Sequence, residues 1–247
     1  ARRPRRGPRA HPGAVTTAKM DVLLELREKA RRNQRRIVLP EARDPRVRQA
    51  AATLAAEGLC RPVLIDTGGI SSPPAGVEVV RPSGDPRTAS FAEQLAELRK
   101  HKGMSLEEAR ERVADPLIFG ALMVRSGDCQ GGVAGSESPT ADVLRAGLWA
   151  VGLAPGGRTL SSCFLIVFPD RTFTFADCGV VPEPTSEQLV DIAVDSAESH
   201  RRLVGEEFRV AMPALSSRGK AGTPRAERER KQAEIAEEEE EEEDESA

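Results

Sequence analysis

Between residues 37 and 212 apolar side chains fall into two alternating patterns: short continuous runs, and longer stretches where they recur every three or four positions. Ile37-Val38-Leu39 is a continuous run and reads as a buried strand. Asp44-Pro45 follows, an N-cap residue and then a residue whose fixed φ suits the first helical turn. Val47, Ala50, Ala51, Leu54 and Ala55 repeat at helical spacing, and Gly58 tolerates the left-handed conformation of a helix end. Pro62-Val63-Leu64-Ile65 is the next run. The segment therefore has the strand, helix, strand length of a right-handed parallel crossover.

The same alternation predicts a short strand near 77–80 and a helix near 88–100 with Phe91, Leu95 and Leu98 on one face. A capping box is expected at Ser105 with Glu108, and Asp115-Pro116 opens a helix running to about Arg125. A strand near 132–134, a Gly/Ser turn and a helix opened by Ser138-Pro139 come next. Residues 160–168 and 172–176 are β-rich and joined by Pro169-Asp170-Arg171, which predicts a hairpin. Thr185 and Gln188 form a second capping box before a helix whose Leu189, Ile192, Ala193, Ser196, Ala197 and His200 share a face. Residues 208–212 read as a last strand. The expected class is α/β, with mostly parallel sheets and flanking helices.

Composition narrows the function. The chain has 247 residues, 39% hydrophobic and 30% charged, enough to bury a core of domain size. Its formal charge of -3 is unevenly spread: the Arg-rich stretch 1–19 holds no acid, while 237–243 is a run of Glu. The remainder is near neutral, which disfavours a nucleic-acid surface and favours small-molecule partners. Cys60, Cys129, Cys163 and Cys178 are widely spaced with no C-x-x-C pair, so neither a metal site nor a disulfide framework is expected. Cys163 and Cys178 lie beside apolar strands and read as buried small hydrophobes. No apolar run approaches the ~20 residues of a membrane span. A cytoplasmic location is expected, with an organelle as the alternative if the basic leader is a transit peptide. Residues 1–19 are expected to be a disordered basic leader and 222–247 a disordered acidic tail.

Several ordered segments resemble the phosphate acetyl/butyryltransferase family. They are Arg36-Ile37-Val38-Leu39-Pro40-Glu41 with Asp44-Pro45-Arg46-Val47, Gly120-Ala121-Leu122-Met123-Val124, Gly132-Val133-Ala134-Gly135, and Thr140-Ala141-Asp142-Val143-Leu144-Arg145. Phe175-Ala176-Asp177-Cys178, Pro182-Glu183-Pro184-Thr185, Arg209-Val210-Ala211-Met212 and Ser216-Ser217-Arg218-Gly219 follow in order. The resemblance covers roughly residues 20–221. It implies two α/β domains with a cleft between them, here 20–137 and an incomplete 138–221, and a homo-oligomer when complete. It also implies transfer of an acetyl group between coenzyme A and inorganic phosphate, with coenzyme A as a substrate and no tightly bound cofactor. The family's Ser-Arg-Gly motif with a nearby Asp, which supplies the base, has no counterpart in 222–247. The chain is accordingly expected to be C-terminally truncated, with little acyl transfer of its own. A catalytically silent binding protein and a butyryltransferase are the alternatives.

Such chemistry needs cations around phosphate and donors at a carbonyl oxygen as it becomes tetrahedral. By resemblance Arg145 binds phosphate and Thr140 belongs to the substrate-binding residues, aided by backbone N–H groups of the 132–135 turn and the N-terminus of the following helix; the alternative for Arg145 is a solvated surface arginine. Arg99, in a basic helix end, aligns with a second active-site arginine or merely compensates the helix dipole. Ser216, Ser217, Arg218 and Gly219 resemble the family's S-T-K-G loop at a strand end, where ligands of parallel sheets collect. Asp177 either orients an arginine or caps a turn. No His lies in a matched motif, so a Ser-His-Asp mechanism is disfavoured.

Overall fold

The computed structural model describes residues 22–205 and 208–213. The basic leader, the acidic tail and the Ser216-Ser217-Arg218-Gly219 loop lie outside the described residues.

A parallel four-stranded sheet organises residues 36–132. Its strands are β1 (Arg36–Leu39), β2 (Arg61–Ile65), β3 (Glu78–Val80) and β4 (Gly131–Gly132), in the order β3-β2-β1-β4. The register places Val38 beside Val63 on one side and Gly132 on the other, and Leu64 beside Val79. Helix α2 (Pro45–Ala56) starts as expected, with the Asp44 side chain accepting the Arg46 N–H. Gly58 follows its end at φ 64°, a conformation that favours glycine. One helix precedes the alternation read from the sequence: α1 (Val22–Asn33), of which only Val22 is buried.

Both faces of the sheet are covered, which is why its strands are unbroken apolar runs. Leu39 and Leu64 pack with Ala51 of α2, Ile70 and Val77. On the opposite face Val38, Val63, Ile65 and Val80 meet a helical layer. That layer comprises α3 (Thr88–Arg99), α4 (Leu106–Val113) and α5 (Pro116–Arg125), contributing Phe91, Leu95, Val113, Phe119, Leu122 and Met123. Phe91 and Phe119 meet edge to face, their centroids 5.1 Å apart. Each such large side chain stabilises the fold by about 1.5–3 kcal/mol through burial. A Cβ at Gly132 would sit 3.0 Å from Val38 Cγ1, so a side chain there would press on the Val38 side chain and glycine lets β4 seat closely against β1. Helix α6 (Thr140–Ala146) runs into a π-helical turn, Gly147–Val151, and Ala146 and Ala150 join the same core.

The later residues form a hairpin and a long helix. Strand β5 (Cys163–Val167) pairs antiparallel with β6 (Thr172–Ala176), Phe164 opposite Phe175 and Ile166 opposite Phe173. Helix α7 (Ser186–Val204) opens on a complete capping box between Thr185 and Gln188. The Thr174 hydroxyl lies 2.9 Å from His200 Nδ1, tying hairpin to helix. The other face of the hairpin leaves Phe164, Ile166, Phe168, Phe173 and Phe175 exposed.

Two expectations need correction. Residues 208–212 form no strand; Phe208, Val210 and Met212 are exposed and have no ladder partner among the described residues, and an apolar run without a partner strand makes no sheet. Cys163 is exposed rather than buried, because it stands at the open end of a two-stranded sheet.

Candidate active site

The loop between β4 and α6 is organised by a carboxylate from the end of the neighbouring strand β1. Glu41, just past the end of β1, is buried, and its two oxygens accept five hydrogen bonds. The donors are the backbone N–H groups of Gly135, Ser136, Glu137 and Ser138 at 2.7–3.0 Å, and the Ser136 hydroxyl at 3.0 Å. Burial pushes the Glu41 carboxyl up, but the N–H donors of Ser136, Ser138 and Glu137 outweigh it and hold the group at about 2. Arg46 adds a second clasp: its guanidinium forks onto Asp44 and donates to the Ser136 carbonyl at 3.0 Å.

This arrangement changes the reading of the turn. A row of consecutive backbone N–H groups is an anion-binding concavity. Here the N–H groups of residues 135–138 are already engaged by Glu41 and do not face a substrate anion. The loop's role is to fix the start of α6, and with it Thr140 and Arg145. Glu41 was legible as part of a Pro-Glu motif, but nothing in local spacing shows that its partners lie more than ninety residues away.

Arg145 sits in the last turn of α6, half exposed, with Nη1 2.6 Å from Asp142 Oδ1 one turn back. Thr140 is exposed at the helix start. Arg99 ends α3 in a different setting. Its Cζ lies 4.9 Å from the centre of the Trp149 ring, and its Nε is buried without a hydrogen-bond partner. Trp149 belongs to the π-helical turn that continues α6, and that turn packs against α3, so it links the helix of Arg145 to the helix of Arg99. Arg87 shows the contrasting case: it is neutralised by Asp85 and Asp128 and stacks near Phe91 and Phe119, a structural cation.

Asp177 follows β6, away from these elements in the fold. It accepts from the Ser162 N–H and hydroxyl at 2.7 and 2.9 Å, and from the N–H groups of Gly179, Val180 and Val181 at 2.7–3.2 Å. Burial raises its carboxyl, but the N–H groups of Val181 and Ser162 dominate and bring it to about 2. Both oxygens are spent on loop organisation, and so acidic a group is a weak base at neutral pH. Among the described residues no group of three or more His, Cys, Asp or Glu side chains is placed to hold a metal ion, and no helix is long and apolar enough to cross a membrane.

Comparison with known proteins completes the picture. The phosphate acetyltransferase of Thermoanaerobacterium thermosaccharolyticum is 37% identical over 229 residues, spanning 88% of this chain and 70% of that one. The Paracoccus denitrificans phosphate acetyltransferase is 40% identical over 211 residues, 83% of this chain and 65% of that one. Among solved structures, the EutD phosphotransacetylase from Staphylococcus aureus aligns with a TM-score of 0.72 and 29% identity over 91% of this chain and 71% of that one. A phosphotransacetylase from Streptococcus pyogenes aligns with a TM-score of 0.73 and 30% identity over 82% and 64%. The α/β class expected from periodicity is thus shared with these enzymes. The family model described as Phosphate acetyl/butaryl transferase matches residues 21–244, past residue 221 where the recognised segments stop and through most of the acidic stretch. With nearly the whole sequence matched, the chain belongs to the phosphate acetyl/butaryl transferase family.

Proposed function

We propose that this chain catalyses transfer of an acetyl group between coenzyme A and inorganic phosphate, acetyl-CoA plus phosphate giving coenzyme A plus acetyl phosphate. The observation that carries the reading is the family match over residues 21–244, joined to two arginines, Arg99 and Arg145, on helices that the Trp149 turn links. The relatives described above carry the acetyl name, which favours acetyl over butyryl transfer and over a silent binding role.

In the direction of acetyl-CoA synthesis, the coenzyme A thiolate attacks the acetyl carbonyl carbon. The carbonyl π electrons move to oxygen, then return as the C–O bond to phosphate breaks and phosphate departs with that electron pair. The phosphate oxygens carry negative charge throughout and gain more at departure. Arg99 and Arg145 are assigned to hold them, since a guanidinium donates parallel hydrogen bonds to phosphate oxygens. Ser216, Ser217, Arg218 and Gly219 are assigned to substrate binding by their resemblance to the S-T-K-G loop, and Thr140 to the same site through its place at the start of the Arg145 helix. Asp177 is assigned to ordering its own loop, through Ser162 and residues 179–181, rather than to touching substrate. A homo-oligomer and a cytoplasmic location belong to the same proposal; the exposed aromatic face of β5 and β6 is apolar surface that assembly would cover.

The test is formation of acetyl-CoA from acetyl phosphate and coenzyme A by the purified full chain. Turnover that is saturable in both substrates is expected on this reading, and it would overturn the expectation from the unmatched base motif that the chain transfers little on its own. A chain that is folded by circular dichroism yet forms no acetyl-CoA above the buffer rate overturns the reading.

A further inference from the structure

The π-helical turn after α6 presents a single tryptophan to two arginines from other helices. Arg99 Cζ is 4.9 Å and Arg112 Cζ 5.7 Å from the centre of the Trp149 ring. Trp149 is packed against the core that holds Phe119 and Leu122, so the ring is anchored from behind. Among the described residues Arg99 has no carboxylate partner, and its buried Nε meets no acceptor. A partly desolvated guanidinium without a counter-ion is unfavourable unless something else holds it, and the face of an indole is the strongest aromatic partner for a cation. A π-helical turn is also an uncommon device in a helix, and it is what carries Trp149 to the end of α3.

We infer that Trp149 is a positioning residue for the acyl-transfer site: its ring fixes the Arg99 guanidinium beside the helix of Arg145, leaving that cation uncompensated for a phosphate-class anion. The inference rests on the acyltransferase reading for its kinetic consequence, but not for the contact itself. Arg112, on the same ring but ion-paired with Glu108, is already compensated and helps to fix the ring. Trp149 thereby links the end of α3 to the turn that continues the helix of Arg145.

Trp149 is the sole tryptophan of the chain, which gives the contact its own optical reporter. On the full chain, inorganic phosphate should produce a saturable change in tryptophan emission, a chloride titration at equal ionic strength should not, and Arg99→Gln should abolish the phosphate response. Trp149→Leu should raise the phosphate KM about 3–30-fold with a smaller effect on the coenzyme A KM and an unchanged urea midpoint, while Trp149→Phe should recover part of the loss. An emission that ignores saturating phosphate, or a folded Trp149→Leu chain with the wild-type phosphate KM, overturns the assignment. If the wild-type chain proves inactive, the acyltransferase reading falls, and the phosphate-dependent emission in wild type against Arg99→Gln still decides the role of Trp149.

Discussion

Glu41 Oε1 accepts the backbone N–H of Ser138 at 2.7 Å, across 97 positions of sequence. Through this contact and its four companions the end of the first strand sets the start of the helix that carries Arg145. The carboxylate is therefore part of the frame that orients the site. Removing it would take the shared charged acceptor from four backbone N–H groups at once, which is costlier than losing a single surface contact.

Glu41→Gln keeps the shape but replaces the charged acceptor, and one side-chain oxygen becomes a donor facing donors. It should destabilise the fold by about 1.5–3 kcal/mol, and Glu41→Ala by more. Urea unfolding measures this directly. A change below about 0.5 kcal/mol in Glu41→Ala would place the variant among ordinary surface substitutions and contradict the frame role.

Acid should act through the same group. The folded carboxyl lies at about 2, below its ordinary 4.5. A group whose folded value is lowered binds its proton more readily when unfolded, so its contribution is complete above about pH 4.5 and is lost as pH falls towards 2. The urea midpoint of the wild-type chain should drop across that window, and Glu41→Gln should show a shallower fall. Parallel curves for the two proteins would exclude Glu41 as a source of acid sensitivity.

Arg145 and the Glu41 frame should separate cleanly in experiment. The Arg145–Asp142 pair is half exposed, and such pairs contribute little to stability. Arg145→Ala is expected to leave the urea midpoint within about 0.5 kcal/mol of wild type while weakening phosphate or coenzyme A binding by about 1.5–3 kcal/mol. Calorimetric titration with each ligand checks the second figure. Unchanged affinity for both would return Arg145 to the surface arginines.

How much of this was legible depended on the range of the signal. Strand β1, the Asp44 cap, helix α2 and the Thr185/Gln188 capping box are written in residues within a few positions of each other, and the structure has them where periodicity and cap chemistry put them. Helix α1 precedes residues 37–212, where the alternation lies, and buries only Val22. The 208–212 strand failed because a strand exists only with a partner, which its own sequence does not specify. At the end of the 132–135 turn, Gly135 and the three residues after it turn their N–H groups to Glu41, a partner that local composition does not reveal. Trp149 was passed over for a related reason: its cations come from residues 99 and 112, and helical periodicity cannot pair them with it.

Asp177 offers the sharpest contrast between charge and role. Its oxygens hold Ser162 and the N–H groups of residues 179–181, joining the entry to β5 with the exit from β6. Asp177→Asn changes the side chain by one group, but an amide places a donor where N–H groups now converge, so at least one of those contacts must break. The variant should lose about 1.5–3 kcal/mol of stability, with the loss centred on the hairpin. Native-state hydrogen exchange should then report faster exchange at residues 179–181 and little change at Val38 or Leu64 in the parallel sheet. Because the folded carboxyl is at about 2 against an ordinary 3.8, the stabilisation it supplies is present above about pH 3.8 and fades towards pH 2. A base role would predict something else: an activity lost at neutral pH with stability and exchange unchanged. Finding that pattern in Asp177→Asn would mean that one of its oxygens leaves the loop and reaches the coenzyme A thiol.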